Sequence, residues 1–264
     1  MPFALVLVGY AFAASLNGGY RGSYAQGLPN DLGFALHVVE PAAFDRWLGP
    51  LPTAWLQEHL NGSGRARWYD AVVAVVYVSH FVVGPTVAAV LWFRNRARCL
   101  AWAGCLLAMA VLGLATYIGY PMAPPWLAAE IDVTGPIKRI SGMGWEYVHL
   151  DAVSSLLQSS QASSNPVAAM PSLHAGYAAL CAAFFVRRTG LLRNVLLVGY
   201  PVLMGFAVVY TGEHYVIDVI VGAAYAVLVV AAARLIPAEP LEAASARVST
   251  TVRGRGRKYR RRCA

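Results

Sequence analysis

Long apolar runs separated by short charged or Gly/Pro-rich breaks dominate the chain. Residues 1–16, 69–93, 99–119, 168–186, 191–210 and 215–235 each approach the roughly 20 apolar residues that one bilayer crossing needs. The pattern predicts an all-α, polytopic integral membrane protein with six transmembrane helices. The first run admits a second reading as a signal peptide, because Ala13-Ala14-Ser15 resembles a cleavage region. It lacks the positive n-region of such segments, which favours an uncleaved span. Between spans one and two, Glu40 to Leu60 carries Trp47, Trp55 and prolines at 41, 50 and 52, and reads as one or two short interfacial helices. Three regions result: 1–68, the first span and an interfacial segment; 69–235, the membrane domain; and 236–264, a disordered basic tail.

Composition agrees with this division. Hydrophobic residues make up 58% of the 264 and charged residues 13%, with a mean hydropathy of +0.52. A soluble domain carries about 25% charged residues, so too little polar surface is left to face water. The net charge of +8 points to nucleic acid only until it is located. Arg253, Arg255, Arg257, Lys258, Arg260, Arg261 and Arg262 crowd the last dozen residues, leaving the rest close to neutral. Such a tail is expected to anchor on anionic membrane lipids, with no nucleic-acid partner. Cys99, Cys105 and Cys181 lie in apolar runs and Cys263 in the tail, a spacing that suits neither zinc nor a disulfide framework.

Arginines fix an expected orientation. Arg94, Arg96 and Arg98 lie between spans two and three, and Arg187, Arg188 and Arg193 between spans four and five; the tail follows span six. The positive-inside rule places all three, and both termini, in the cytoplasm of a multi-pass cell-membrane protein. The connections 17–68 and 120–167 and the turn Thr211-Gly212-Glu213 then face outward.

Polar groups at membrane depth are costly and are the first functional candidates. Met170-Pro171-Ser172-Leu173-His174 opens span four on its outer side, where Pro171 suits a first helical turn, Ser172 offers a hydroxyl, and free N–H groups favour an anion such as phosphate. His214 and Asp218, four residues apart at the outer start of span six, share one helix face. The carboxylate can hold one imidazole nitrogen protonated and leave the other free to attack.

Pro171-Ser172-Leu173-His174 followed by His214-x-x-x-Asp218 resembles the last two signature motifs of the type 2 phosphatidic acid phosphatase superfamily of membrane lipid phosphatases and phosphotransferases. Tyr120-Pro121-Met122-Ala123-Pro124-Pro125-Trp126 resembles a segment of its inositol phosphorylceramide synthase branch, and the similarity covers roughly residues 70–235. The resemblance implies that spans three to six form a four-helix catalytic bundle. His214 matches the nucleophile that forms a phosphohistidine, Asp218 its orienting carboxylate, and His174 the general acid and base. It implies no metal and no cofactor, with phosphate charge met by N–H groups, Ser172 and positive side chains. A lipid phosphate is the expected substrate and water or an inositol-like hydroxyl the expected acceptor, at a site facing outward and shaped by Tyr120 to Trp126.

The chain also departs from the family pattern. The first phosphatase motif, with its Lys and Arg-Pro, is absent, and the Arg six residues before the nucleophile is replaced by Val208. Lys138 and Arg139 are candidate replacements for that phosphate clamp, with an interfacial charge pair as the other reading. His80, within span two, is a candidate for binding head group or phosphate, or a buried histidine bonded to a neighbouring helix. Glu213 reads as a helix N-terminal carboxylate, and Trp145 to Asp151 as a structural or lid segment. A carrier or flippase that binds a phosphate head group without chemistry is the alternative function, though it has no need of the His214-Asp218 spacing.

Overall fold

The structure is a computed structural model that describes residues 2–17, 24–162, 164–186 and 190–235. The basic tail, Arg187 and Arg188 lie outside the described residues. The helices run in order α1 (Pro2–Leu16), α2 (Val39–Trp47), α3 (Pro52–Asn61), α4 (Trp68–Arg94), α5 (Arg96–Gly119), α6 (Pro125–Glu130), α7 (Met143–Tyr147), α8 (Asp151–Ala162), α9 (Leu173–Phe185), α10 (Leu191–Tyr210) and α11 (Val216–Leu235).

Local chemistry sets where the long helices begin. The Asp70 carboxylate accepts a hydrogen bond from the Arg67 N–H at 2.7 Å, closing the first turn of α4. Asn95 alone separates α4 from α5, and its side-chain oxygen accepts from the Arg98 N–H at 2.9 Å. The outward faces stay apolar: Val75 is 58% exposed, Phe93 86% and Leu228 63%. Water would penalise such a surface, whereas acyl chains are its natural solvent.

Among the described residues, four helices, α4, α5, α10 and α11, are long and apolar enough to cross a membrane. The hydropathy pattern predicts six spans, but α1 has 15 residues and α9 only 13. At 1.5 Å per residue, α9 covers about 20 Å of a hydrocarbon core of about 30 Å. The expected span over 168–186 is shortened because its first residues are extended. Met122 bridges to Ala168, and Ser172 is the N-cap of the helix that follows. Pro171 therefore lies before the cap and outside the first turn where its sequence position suggested it.

The core packs α9 between α10 and α11 and sets α5 against α4, α9, α11 and α1. Where α9 crosses α11 the backbones nearly touch. A Cβ at Gly222 would stand 2.3 Å from the Ser172 carbonyl oxygen, so only glycine fits. The Ser172 N–H donates to the Asp218 carbonyl at 3.0 Å across this crossing. Small residues thus bring the starts of α9 and α11, and the two histidines beside them, to one place.

The bundle has two chemically distinct ends. Arg94, Arg96 and Arg98 flank the α4–α5 turn; the Arg98 guanidinium lies over Phe184 and Phe185 near the end of α9, and Arg234 donates to the Ala183 carbonyl. The opposite end is closed by extended segments. Met122 bridges both His37 and Ala168, with Met122 and Ala123 fully buried. The interfacial segment forms the two helices α2 and α3, which pack on α11 and α10. Gln57 on α3 donates to the carbonyls of Lys138 and Tyr210 at 2.8 and 3.0 Å and accepts from the Lys138 N–H.

Candidate active site

The starts of α9 and α11 open into a cavity of about 450 Å³ at the non-basic end of the bundle. His174, the second residue of α9, and His214, two residues before α11, face each other with ring centroids 5.9 Å apart. His214 Nδ1 stands 3.4 Å from Asp218 Oδ2, and the same oxygen accepts from the Tyr215 N–H at 2.9 Å. The pair is almost sealed, with His214 8% and Asp218 0% exposed. Asp218 thus does two things that its i,i+4 spacing allows: it closes the first turn of its own helix and faces one imidazole nitrogen. The turn before His214 depends on Gly212, whose φ of +80° and 2.7 Å clearance from the Lys138 carbonyl leave no room for a side chain.

His174 is held by rings. Tyr77 stacks on it at 4.5 Å, and His80 lies against it at 4.2 Å. Tyr77 and His80 are three residues apart on α4 and project from one face. His174 Nε2 and His80 Nδ1 are buried without a hydrogen-bond partner. The four-helix bundle of spans three to six expected as catalytic therefore needs amending. α4, span two, supplies Tyr77, His80 and Phe81 to the cavity, whereas no residue of α10 lines it.

Ser172 is fully buried, and its hydroxyl oxygen accepts from the Ala175 N–H at 3.3 Å, so it caps the helix that presents His174. The Pro171 carbonyl accepts from the Tyr117 hydroxyl at 3.0 Å. The two basic candidates separate. Lys138 is exposed and absent from the cavity wall. Arg139 lines the cavity with its guanidinium 4.8 Å from the centre of the Trp126 ring. It donates to both Glu213 oxygens, from Nε at 2.9 Å and from the second terminal nitrogen at 2.8 Å. Such a planar, bidentate cation beside the histidines has the geometry that recognises phosphate.

The Tyr120 to Trp126 segment divides likewise. Trp126 lines the cavity and supports Arg139, whereas Tyr120 stacks on His37 at 3.8 Å and does not reach it. The segment's backbone joins the two histidine motifs. The Met122 N–H donates to the Val167 carbonyl at 2.8 Å and the Trp126 N–H to the Gly212 carbonyl at 3.2 Å.

Glu213 has a different role from the helix N-terminal carboxylate that its position suggests, and Gln161 and Asp45 escaped sequence reasoning. Glu213 is 7% exposed and accepts from Ser141 at 2.7 Å and Gln161 at 2.9 Å as well as from Arg139. Gln161, at the end of α8, donates also to Ser141 at 2.8 Å. The Val153, Leu156, Leu157 spacing was the available signal for that helix. Asp45, on α2, accepts from the N–H groups of Val216 and Ile217 at the start of α11. Trp145 to Tyr147 end the short helix α7, which packs on α4 through Gly144, where a Cβ would meet the Asp70 carbonyl at 2.0 Å. Among the described residues, no three His, Cys, Asp or Glu side chains gather as a metal site would require.

Comparison with known proteins agrees with this geometry. A phosphoinositol dihydroceramide synthase of Bacteroides thetaiotaomicron is 26% identical over 166 residues, covering 60% of this chain and 53% of that protein. The chain thus spans about half the length of this curated relative. No solved structure matches. The family description "PAP2 superfamily" matches residues 41–232, a range that contains His174, His214 and Asp218. With that match covering well over half of its length, the chain belongs to the PAP2 superfamily.

Proposed function

We propose that this protein is a membrane lipid phosphotransferase or phosphatase that works through a phosphohistidine. The observation that carries the reading is the pairing of His214 with Asp218 across the cavity from His174. With ring centroids 5.9 Å apart, both imidazoles line one cavity and can serve a single phosphoryl group bound there, His214 on phosphorus and His174 on the leaving or accepting oxygen.

The steps follow from the residues. Asp218 holds the proton on His214 Nδ1, leaving the Nε2 lone pair to attack phosphorus. As the Nε2–P bond forms, the P–O bond to the leaving group breaks, and protonated His174 gives its Nε2 proton to the departing alkoxide. In the second step an acceptor hydroxyl loses its proton to His174 and attacks phosphorus, and the N–P electron pair returns to His214. Arg139, released in part from Glu213, meets the charge on the phosphoryl oxygens, and the start of α9 contributes its N–H groups.

Support for a lipid substrate comes from the apolar outward faces of α4, α5, α10 and α11. Arginines at the far end favour placing the cavity toward the outer leaflet of the cell membrane, with both termini cytoplasmic. The name of the Bacteroides thetaiotaomicron relative, a phosphoinositol dihydroceramide synthase, favours an inositol-like partner in the transfer.

The reading is tested with purified protein in nanodiscs and a panel of phosphorus-labelled lipid phosphates, with and without myo-inositol. Free phosphate identifies hydrolysis, and labelled inositol phosphate identifies transfer. Lipid binding without either product would leave a carrier and overturn the enzyme reading.

A further inference from the structure

The cavity lining is chemically mixed. Phe81, Leu173 and Pro124 give it apolar surface. Toward α8 and the segment after it stand Gln161, Ser164 and Asn165. Asn165 is 6% exposed, and its Nδ2 is buried with no hydrogen-bond partner. Its orientation is fixed, because Oδ1 accepts from the Val167 N–H at 3.2 Å and the amide nitrogen must therefore take the other side. Gln161 directs its amide nitrogen to Glu213 and Ser141, leaving its carbonyl oxygen without a hydrogen bond among the described residues. Ser164 donates to the Gln161 backbone carbonyl at 2.7 Å and keeps its lone pairs.

These three residues bring an unused donor and unused acceptors to one cavity. Phosphate oxygens could use only the donor. A hydroxyl both donates and accepts, so vicinal hydroxyls match the set. We propose that Gln161, Ser164 and Asn165 form a subsite for a polyhydroxylated ring or chain, placed beside the phosphorus that His214 attacks. The proposal rests on the phosphotransfer reading above and deepens it. The polyol has two possible sources. As a free acceptor, its hydroxyl gives a proton to His174 and forms the new O–P bond as the His214 N–P bond breaks. As a head group already esterified to the transferred phosphorus, it is held here while a lipid alkoxide leaves with the proton from His174.

Two assays on the full chain in nanodiscs distinguish the sources. In the first, a phosphorus-labelled lipid phosphate is offered with increasing myo-inositol, and the ratio of inositol phosphate to free phosphate is measured. In the second, a phospholipid with a labelled inositol-phosphate head group is offered with a long-chain alcohol, in competition with a choline-headed lipid. Transfer in the first identifies a free acceptor; preference for the inositol-headed lipid in the second identifies the carried head group. Asn165→Asp keeps the acceptor for Val167 and removes the unused donor. It should lower the transfer ratio, or the head-group preference, by about tenfold or more, since a polar site built for a hydroxyl loses discrimination when its partner is removed. Gln161→Met, folded by size-exclusion, should lower it in the same direction. A merely structural role would reduce both products together and leave the ratio unmoved, which would overturn the subsite. Hydrolysis in the wild type with no use of inositol in either assay would also overturn it while sparing the phosphatase reading. No turnover on any lipid would sink that reading itself.

Discussion

Asp45 holds the first turn of α11 from a helix 171 residues earlier in the chain, its Oδ2 accepting from the Val216 N–H at 2.9 Å. Oδ1 takes the Ile217 N–H at 3.3 Å, and the side chain is fully buried. α11 starts two residues after His214, so this cap fixes the direction in which the imidazole enters the cavity. Asp45→Ala should cost about 0.5–2 kcal/mol of stability, the usual loss of a helix N-cap, and lower turnover with it. Thermal melting and turnover of the same preparation check this; unchanged values for both would remove Asp45 from the site's support.

The same residue predicts a pH effect. Burial, opposed by the hydrogen bonds from Val216 and Ile217, pushes the Asp45 carboxyl above its ordinary value of 3.8. The folded state then binds the proton more tightly than the unfolded one, so this group's contribution to stability falls as pH rises through the window from 3.8 upward. Asp45→Asn keeps an acceptor for Val216 and cannot ionise. Its stability relative to wild type should rise across that window, and a parallel pair of melting curves against pH would contradict the account.

Arg139 and Lys138 are neighbours with opposite fates. Arg139 forks onto Glu213 and stacks on Trp126, and lysine can reproduce neither contact. Arg139→Lys should lower kcat/KM by about 10–100-fold, equivalent to about 1.4–2.7 kcal/mol at the transition state. Lys138→Ala should change it little, because the contacts with Gln57 are made by the Lys138 backbone. Equal losses in the two variants would remove the distinction.

Gly222 tests the crossing that brings the motifs together. Its alanine variant would press a methyl group to 2.3 Å from the Ser172 carbonyl. Forcing α9 and α11 apart should cost about 1–3 kcal/mol, as overpacking does, and separate His174 from His214. Gly222→Ala should therefore melt lower and turn over more slowly, whereas wild-type values for both would show that the crossing tolerates separation.

Hydropathy made the long helices legible, because a bilayer-facing helix is apolar over its whole length. The approach of His214 to Asp218 was legible too, since a spacing of four puts the two on one helix face. What the sequence hid was tertiary. Nothing near Asp45 points to Val216, and nothing near Gln161 points to Glu213, 52 residues away. α8 carries little signal because DAVSSLLQSSQA is mostly polar and sits in a long connection. The start of α9 is hidden because apolar residues 168–170 read as membrane helix, while Ala168 bridges to Met122 and the Ala169 N–H donates to the Met122 carbonyl. Proximity to Trp126 in sequence suggests Tyr120 for the entrance, but its ring stacks on His37 instead.

The most direct test of phosphohistidine transfer is to trap the intermediate. Wild-type protein and His214→Ala, both in nanodiscs, are mixed with a phosphorus-labelled lipid phosphate, quenched rapidly in alkali and separated from lipid. The account predicts label on the wild-type chain that survives alkali and is released by acid, and neither label nor turnover in the variant. Turnover by His214→Ala at the wild-type rate would contradict it.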